Sequence, residues 1–388
     1  MNVKVWKLLG SILVAIFALS IVHSVYAIGV IATIPVGNPT ASPPYDYGIT
    51  YDSGKGEIFV TNEGANYAPG TVSVISDSTN AVVASVHTGP TPRAIAYDSG
   101  KGEIFIANFY GVKAVQVISD GTNAVVANIT VGASPNGIAY DSGKGEIFVT
   151  NQDDNPPTVS VISDSNNTVV ATIILGTGYT EPEGIAYDSS KGEIFVANQN
   201  LDTVSVISDS TNAVVANITL GNGAGRGVAY GVAYDSGKGE IFVTNSGVNA
   251  VSVISDSSNA VVANITVGLT PEELAYDSST GEIFVANTVD GTVSVVSDSN
   301  NTVVANITVG SGPFAVAYDS GKDEIFVTNA GASTVSVISE SAIPEFSSAA
   351  LILAGPAMVA LTICAVGLTV RKSKKSRALS QPGVLQTS

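Results

Sequence analysis

The sequence predicts an all-β fold: a seven-bladed β-propeller of four-stranded antiparallel blades, closed by an N-terminal strand and followed by a C-terminal transmembrane helix. Three observations lead there. A unit whose commonest form is YDSGKGEIFVTN occurs seven times, from Tyr51, Tyr97, Tyr140, Tyr187, Tyr234, Tyr276 and Tyr318, and each copy ends on asparagine 11 residues later. A VSVISDS-like segment follows every copy, and a VVANITVG-like segment follows the first six. The period of 42 to 47 residues suits a blade of four short strands, whereas solenoid repeats are shorter or helical.

Within one repeat the strands are GIAYD, EIFVTN, TVSVIS and VVANITV, rich in β-branched residues. Turn-forming DSGKG, a Gly/Asn-rich loop, DSTN and a Gly/Pro link separate them. The seventh repeat stops at Ser339-Glu340 without its fourth strand, while Val30 to Gly37 (VIATIPVG) copies that missing strand at the other end of the chain. Pairing the two closes a ring and removes an edge that could seed aggregation.

The ends carry targeting signals. Residues 1–27 hold Lys4 and Lys7, an apolar stretch from Leu8 to Val22, and Val25-Tyr26-Ala27, the pattern of a signal peptide cut after Ala27. An uncleaved anchor is the alternative, although 15 apolar residues are short for a span. Residues 28–342 are the propeller, 343–348 a linker, 349–370 an uncharged run of 22 residues able to cross a bilayer, and 371–388 a basic tail. Arg371, Lys372, Lys374, Lys375 and Arg377 place that tail inside, so the propeller is expected outside the cell, on the outer face of the cytoplasmic membrane. Pro344-Glu345-Phe346, then the apolar run, then the basic cluster resembles the PEF-type sorting signals of archaeal surface proteins. That resemblance implies cleavage near Pro344 to Phe346 and replacement of the helix by a lipid anchor. A plain membrane anchor remains the other reading.

FVTN with VSVI and VVATIPVG-like strands resembles the YVTN family of β-propeller repeats, over residues 28–340. The resemblance implies the propeller fold and a setting in archaeal surface layers or surface antigens. Phe stands where that family has its first Tyr, a change expected to matter to packing alone.

Chemistry-bearing residues are few. Between Ile28 and Pro344 there are 32 acidic and nine basic residues, a net charge of −23, which disfavours nucleic acid and anionic lipid. The only cysteine, Cys364, lies in the apolar run, and beyond residue 27 the only histidine is His87. A His/Cys metal site, a Ser-His-Asp triad and a haem ligand pair therefore lack their residues, so no catalysis, metal or cofactor is expected. The Asp of YDSGKGE and the Asp of SDSTN both read as turn-bracing residues, since neither string fits a calcium loop. Asn-x-Ser/Thr acceptors at Asn128, Asn166, Asn217, Asn264, Asn300 and Asn306 would make an exported chain a glycoprotein.

Length variation is confined to two connections. The Asn-to-Asp interval runs 15, 12, 13, 11, 11, 11 and 11, and the Asp-to-Tyr interval 20, 20, 23, 25, 20 and 20. In a four-stranded meander these connections share one face, where variable loops on a rigid scaffold can bind a ligand. Tyr67, Phe109, Tyr110, Asp153, Asp154, Tyr179, Glu181, Glu183, Arg226 and Tyr230 are the candidate residues there. Neutral drift of unconstrained loops gives the same pattern. The expected function is a non-enzymatic structural or adhesive surface protein contacting envelope proteins or polysaccharide. A solute- or cation-binding module on the variable face is the alternative, and a lactonase-like enzyme ranks third.

Overall fold

The computed structural model describes residues 25–37, 46–110, 113–178, 180–221 and 229–343. The segments expected as signal peptide up to Ser24, sorting motif Pro344-Glu345-Phe346, transmembrane helix and basic tail lie outside them. Among the described residues no helix is long and apolar enough to cross a membrane.

Seven separate four-stranded antiparallel sheets form the fold. Blade 1 consists of Asp46–Asp52, Glu57–Asn62, Pro69–Ser76 and Ala81–Pro90, counted from the innermost strand outward. Five further blades repeat that order. In blade 7, Pro313–Asp319, Glu324–Asn329 and Thr334–Ile343 are joined at the outer edge by Val25–Pro35, the earliest described strand of the chain. The closing strand thus begins five residues before the segment copied from the repeats and includes Ala27, the expected cleavage point.

Burial explains the sequence pattern. In every blade the second strand, EIFVTN or a variant, is buried at all positions after its glutamate, because neighbouring blades cover both faces. It therefore reads as a continuous apolar run. The outermost strand has one covered face, and its burial alternates, as in Ala124–Thr130. The seven phenylalanines Phe59, Phe105, Phe148, Phe195, Phe242, Phe284 and Phe326 are among the largest fully buried side chains. A phenol at those positions would need a partner for its hydroxyl, which Phe does not.

The core is divided among blade interfaces. One cluster joins Ile34, Val36, Phe326, Val335 and Val337 of blade 7 to Ile49, Ile58, Val60 and Ile75 of blade 1. Polar clasps reinforce these contacts at one face. Asp52 accepts hydrogen bonds from the amides of Gly54 (2.8 Å) and Lys55 (3.2 Å), which braces its own turn as expected. The phenol of Tyr97 in blade 2 reaches that same carboxylate, and burial followed by Asp52 holds the phenol well above its ordinary pKa.

The second recurrent aspartate departs from expectation. Asp77 packs against Gly56, at φ +67°, where an added Cβ would lie 2.6 Å from its carboxylate oxygen. Its backbone carbonyl accepts a hydrogen bond from Lys322 of blade 7, and its carboxylate is 3.8 Å from the same ammonium. Lys144 and Asp209, Lys191 and Asp256, and Lys238 and Asp298 repeat the arrangement at 3.6 to 3.8 Å. This aspartate ties one blade to the next instead of bracing its own turn. Blade 6 has Thr280 where the others carry lysine, so it makes no such clasp through that residue.

Ring closure makes a testable difference between two isoleucines of one strand. Ile34 is 3% exposed inside the shared core, whereas Ile31 is 50% exposed on the rim. Ile34→Ala is expected to cost about 2–5 kcal/mol in urea unfolding, and Ile31→Ala to stay within about 0.5 kcal/mol. Equal losses would contradict closure by this strand.

Candidate functional site

The innermost strand of every blade contains a bulge. In blade 3, Pro135 pairs with Asn151 and Ile138 with Val149, so Asn136 and Gly137 together oppose Thr150. Such an insertion re-aims a side chain. The residues at the first bulge position, in blade order, are Tyr47, Arg93, Asn136, Glu183, Tyr230, Glu272 and Phe314. Strand neighbours repeat almost unchanged, yet this position takes five residue types.

The second bulge residue is small in six blades, and packing gives the reason. A Cβ at Gly184 would lie 2.2 Å from the carbonyl oxygen of Tyr230, and one at Gly137 would lie 2.3 Å from that of Glu183. Threonines of the second strand fix the join. Thr150 Oγ1 accepts from the amide of Gly137 at 2.7 Å and donates to the carbonyl of Glu183 at 2.9 Å. Thr61 likewise donates to the carbonyl of Arg93 at 2.8 Å, and Thr244 to that of Glu272 at 2.5 Å.

Five of these residues, Arg93, Asn136, Glu183, Tyr230 and Phe314, together with Glu273 of the second bulge position, line a recess of about 120 Å³. That volume is of the order of one aromatic ring or a few waters. Tyr230 and Phe314 meet edge to face, 5.8 Å between centroids at 87°. Glu183, 4% exposed, accepts hydrogen bonds from the amides of Asn136 and Gln152. Burial, then Glu273, Glu181 and Glu272, outweigh the nearby Arg93 and push its pKa up to about 8. Burial, then Glu273, lifts Glu272 to about 8, and burial lifts Glu273 to about 7. Burial and then Glu183 and Glu272 hold the Tyr230 phenol well above its usual value.

The variable loops ring this mouth. Phe109, buried, donates its amide to the Thr91 carbonyl in the link between blades, and its ring lies 3.8 Å from the Arg93 guanidinium carbon. Tyr110 stands edge to face with both Phe109 (4.5 Å) and Tyr67 (5.1 Å), and both tyrosines are exposed. The opposite mouth is uniform instead, lined by tyrosines and serines of the repeated YDS, such as Tyr51, Ser53, Tyr97 and Ser99.

Six of the ten sequence-predicted residues do not stand as free loop side chains or lie outside the described residues. Glu183 and Tyr230 belong to innermost strands, because the inner strands start at the proline position and not at the following glycine as the repeat suggested. Asp153 accepts from Ser134 Oγ at 2.6 Å, and Asp154 accepts from the Ala133 amide at 2.8 Å and from Thr158 Oγ1 at 2.5 Å, so both brace their loop. Tyr179 and Arg226 lie outside the described residues. Glu181 has φ +46° and acts through its charge on Glu183. Arg93, Asn136, Glu272, Glu273 and Phe314 escaped notice, although the changing residue after each repeat's proline was a readable signal.

The six Asn-x-Ser/Thr acceptors are all exposed. Asn128, Asn217, Asn264 and Asn306 sit on outermost strands, where Oδ1 accepts from Gln116, Ser205, Ser252 and Ser294 respectively at 2.8 to 2.9 Å. Asn166 and Asn300 sit in turns and accept from the hydroxyls of Thr168 and Thr302. His87 is exposed on an outermost strand, away from the recess. No group of three or more His, Cys, Asp or Glu suited to a metal ion occurs among the described residues.

No family model matches the sequence, and no curated protein does. Solved structures do. Hydrazine synthase of Kuenenia stuttgartiensis superposes with a TM-score of 0.67 at 16% identity, over 78% of this chain and 97% of that one. Streptogramin B lyase superposes with a TM-score of 0.65 at 15% identity, over 80% and 97%. At such identities the likeness establishes the seven-bladed fold alone. Both are enzymes by name, so the expectation of a non-catalytic protein gains no support from them.

The raised carboxyls predict a pH dependence. Glu183, Glu272 and Glu273 titrate above their ordinary 4.5, so between about pH 4.5 and 8 the folded chain holds protons that the unfolded chain has released. Stability from these groups is greatest below that window and falls as pH rises through it. In scanning calorimetry from about pH 5 to 8.5, Glu273→Gln is expected to show a shallower decline in Tm than the wild-type chain. Parallel declines would show that Glu273 does not titrate there.

Proposed function

We propose that this chain is an exported propeller, held at the outer face of the cell membrane, that binds a small solute in the mouth of its central channel. One observation carries the binding reading. Seven nearly identical blades act as internal controls for one another, and the bulge at the start of each innermost strand is where charge and aromaticity change from blade to blade, with Arg93, Asn136, Glu183, Tyr230, Glu273 and Phe314 on the lining of one recess. Drift of unconstrained loops does not account for diversity inside a packed strand, beside an opposite mouth that keeps its repeated serines. This moves the preference from a structural or adhesive role to the solute-binding alternative.

The surface setting rests on the sequence: the leader ending at Ala27, the apolar run 349–370 with its basic flank, and the resemblance to YVTN surface proteins of archaea. In this reading Pro344-Glu345-Phe346 is the point at which a sortase-like enzyme exchanges the helix for lipid, and the six exposed asparagines carry glycans. Contact with envelope proteins or polysaccharide is a second role, favoured by the exposed Tyr67 and Tyr110 at the same mouth.

Two measurements test the proposal. Protease treatment of intact cells is expected to remove the propeller, with mass spectrometry of the membrane-isolated chain showing the processed ends; protection from protease would overturn surface display. A thermal-shift screen of envelope solutes and ions is expected to give a ligand that raises Tm, with the rise lost in Tyr230→Ala. A ligand whose effect survives that substitution would bind elsewhere.

A further inference from the structure

The turn between the third and fourth strands offers a second comparison among blades. Blades 1, 2, 4 and 5 have Thr or Ser, then Asn, then Ala there, as in Thr211-Asn212-Ala213, whereas blades 3 and 6 have Asn166-Asn167-Thr168 and Asn300-Asn301-Thr302. Asn at the first position and Thr at the third occur together in both blades and never singly among the six blades with this turn. Only the pair makes an Asn-x-Thr acceptor. In both turns the threonine hydroxyl folds back to donate to Oδ1 of the first asparagine, at 2.7 Å in blade 3 and 2.6 Å in blade 6. The middle asparagine permits that reversal, with φ +55° and its amide donating to the carbonyl of Ser163 or Ser297.

The four acceptors on the outermost strands are built differently. Each is held in its ladder by the neighbouring strand, as where Asn217 faces Ser205 and accepts from its hydroxyl at 2.8 Å. The middle residue of each tripeptide, Ile129, Ile218, Ile265 or Ile307, packs into the core between blades and is at most 7% exposed. An enzyme that closes around three consecutive residues must strip that strand from its sheet first. Asn166 and Asn300 require no such opening, since they are exposed at a turn.

We propose that Asn166 and Asn300 are the glycan acceptors of the folded propeller, while Asn128, Asn217, Asn264 and Asn306 accept only before their strands join the sheet; this rests on the reading of the chain as an exported glycoprotein. The donor is an oligosaccharide carried on a polyprenyl phosphate. Nδ2 of the asparagine attacks the anomeric carbon, the C1–N bond forms as the C1–O bond to phosphate breaks, the lipid phosphate leaves with that electron pair, and the amide gives up one proton to solvent. Both turns lie on the clasp face, where Lys101 reaches the carbonyl of Asp164 and Lys238 that of Asp298. Glycans placed there leave the recess at the other mouth open.

Transfer in vitro to the full-length chain, made in a host without N-glycosylation, tests the proposal. The enzyme is an oligosaccharyltransferase that requires only Asn-x-Ser/Thr, and glycopeptide mass spectrometry reads each site. In the folded chain Asn166 and Asn300 are expected to be modified at least about tenfold faster than the four strand acceptors. Synthetic peptides spanning the six acceptors, which have no sheet to leave, are expected to react within about threefold of one another. Thr211→Asn combined with Ala213→Thr, which copies the blade 3 turn into blade 4, is expected to add one glycan to the folded chain. Equal rates at all six sites of the folded chain, or the same gap among the peptides, would overturn the proposal. So would a doubly substituted turn that stays bare while circular dichroism and Tm show the chain folded. Absence of glycans from the chain isolated from its native membrane would count against the glycoprotein reading alone, and the rates in vitro judge the two turns independently.

Discussion

Everything in this molecule depends on the burial of each blade's second strand between two neighbouring sheets. A strand covered on both faces must be apolar along its whole length, and its side chains must fit two blades at once. Ile58 and Val60 share a cluster with Ile34, Val337 and Phe326 of blade 7, while Phe59 belongs to the cluster that reaches Ile104 and Ile106 of blade 2. A blade on its own has no complete core. Stability therefore arises only when the ring closes, which is why the borrowed strand Val25–Pro35 matters beyond its own length.

That requirement distributes freedom unevenly. Positions facing neighbouring blades cannot vary, and the clasp face is fixed too, since Asp52, Tyr97, Lys322 and Asp77 join consecutive blades through groups that must meet in register. On the other face the polar joins differ from blade to blade, as where Asn136 and Gln152 of blade 3 donate to Glu183 of blade 4 and Asn245 of blade 5 donates to Asp202 of blade 4. There the bulge brings Arg93, Asn136, Glu183, Tyr230 and Phe314 to the lining of the recess, and Thr61, Thr150 and Thr244 hold the backbone of the following blade by its carbonyl. Backbone anchoring leaves the side chain free to be arginine, glutamate or tyrosine. A repeat architecture thereby keeps its fold constant while one ring of positions diversifies.

The electrostatic character of that ring follows from the same geometry. Inner strands approach so closely that Gly137, Gly184 and Gly231 leave no room for a Cβ beside the neighbouring carbonyl. Burial lifts the carboxyls of Glu183, Glu272 and Glu273 into the neutral range. The net negative charge of the chain and the chemistry of its recess are thus separate matters. The first governs solubility and long-range repulsion; the second depends on Glu183, Glu272 and Glu273 and on the rings between them.

By itself the sequence determined the fold, because seven copies of an apolar second strand and an orphan strand at the N-terminus admit one closed arrangement. It also determined which face varies, since connection lengths are visible in a chain of aligned repeats. Which residues meet was decided only by tertiary structure. Arg93 and Phe314 are 221 positions apart and look like isolated departures from a repeat; the toroid brings them into one recess because residues at equal phase of a ring converge on its axis. Asp153 and Asp154 looked free for the opposite reason, as hydrogen bonds to Ser134, Ala133 and Thr158 leave no trace in composition or spacing.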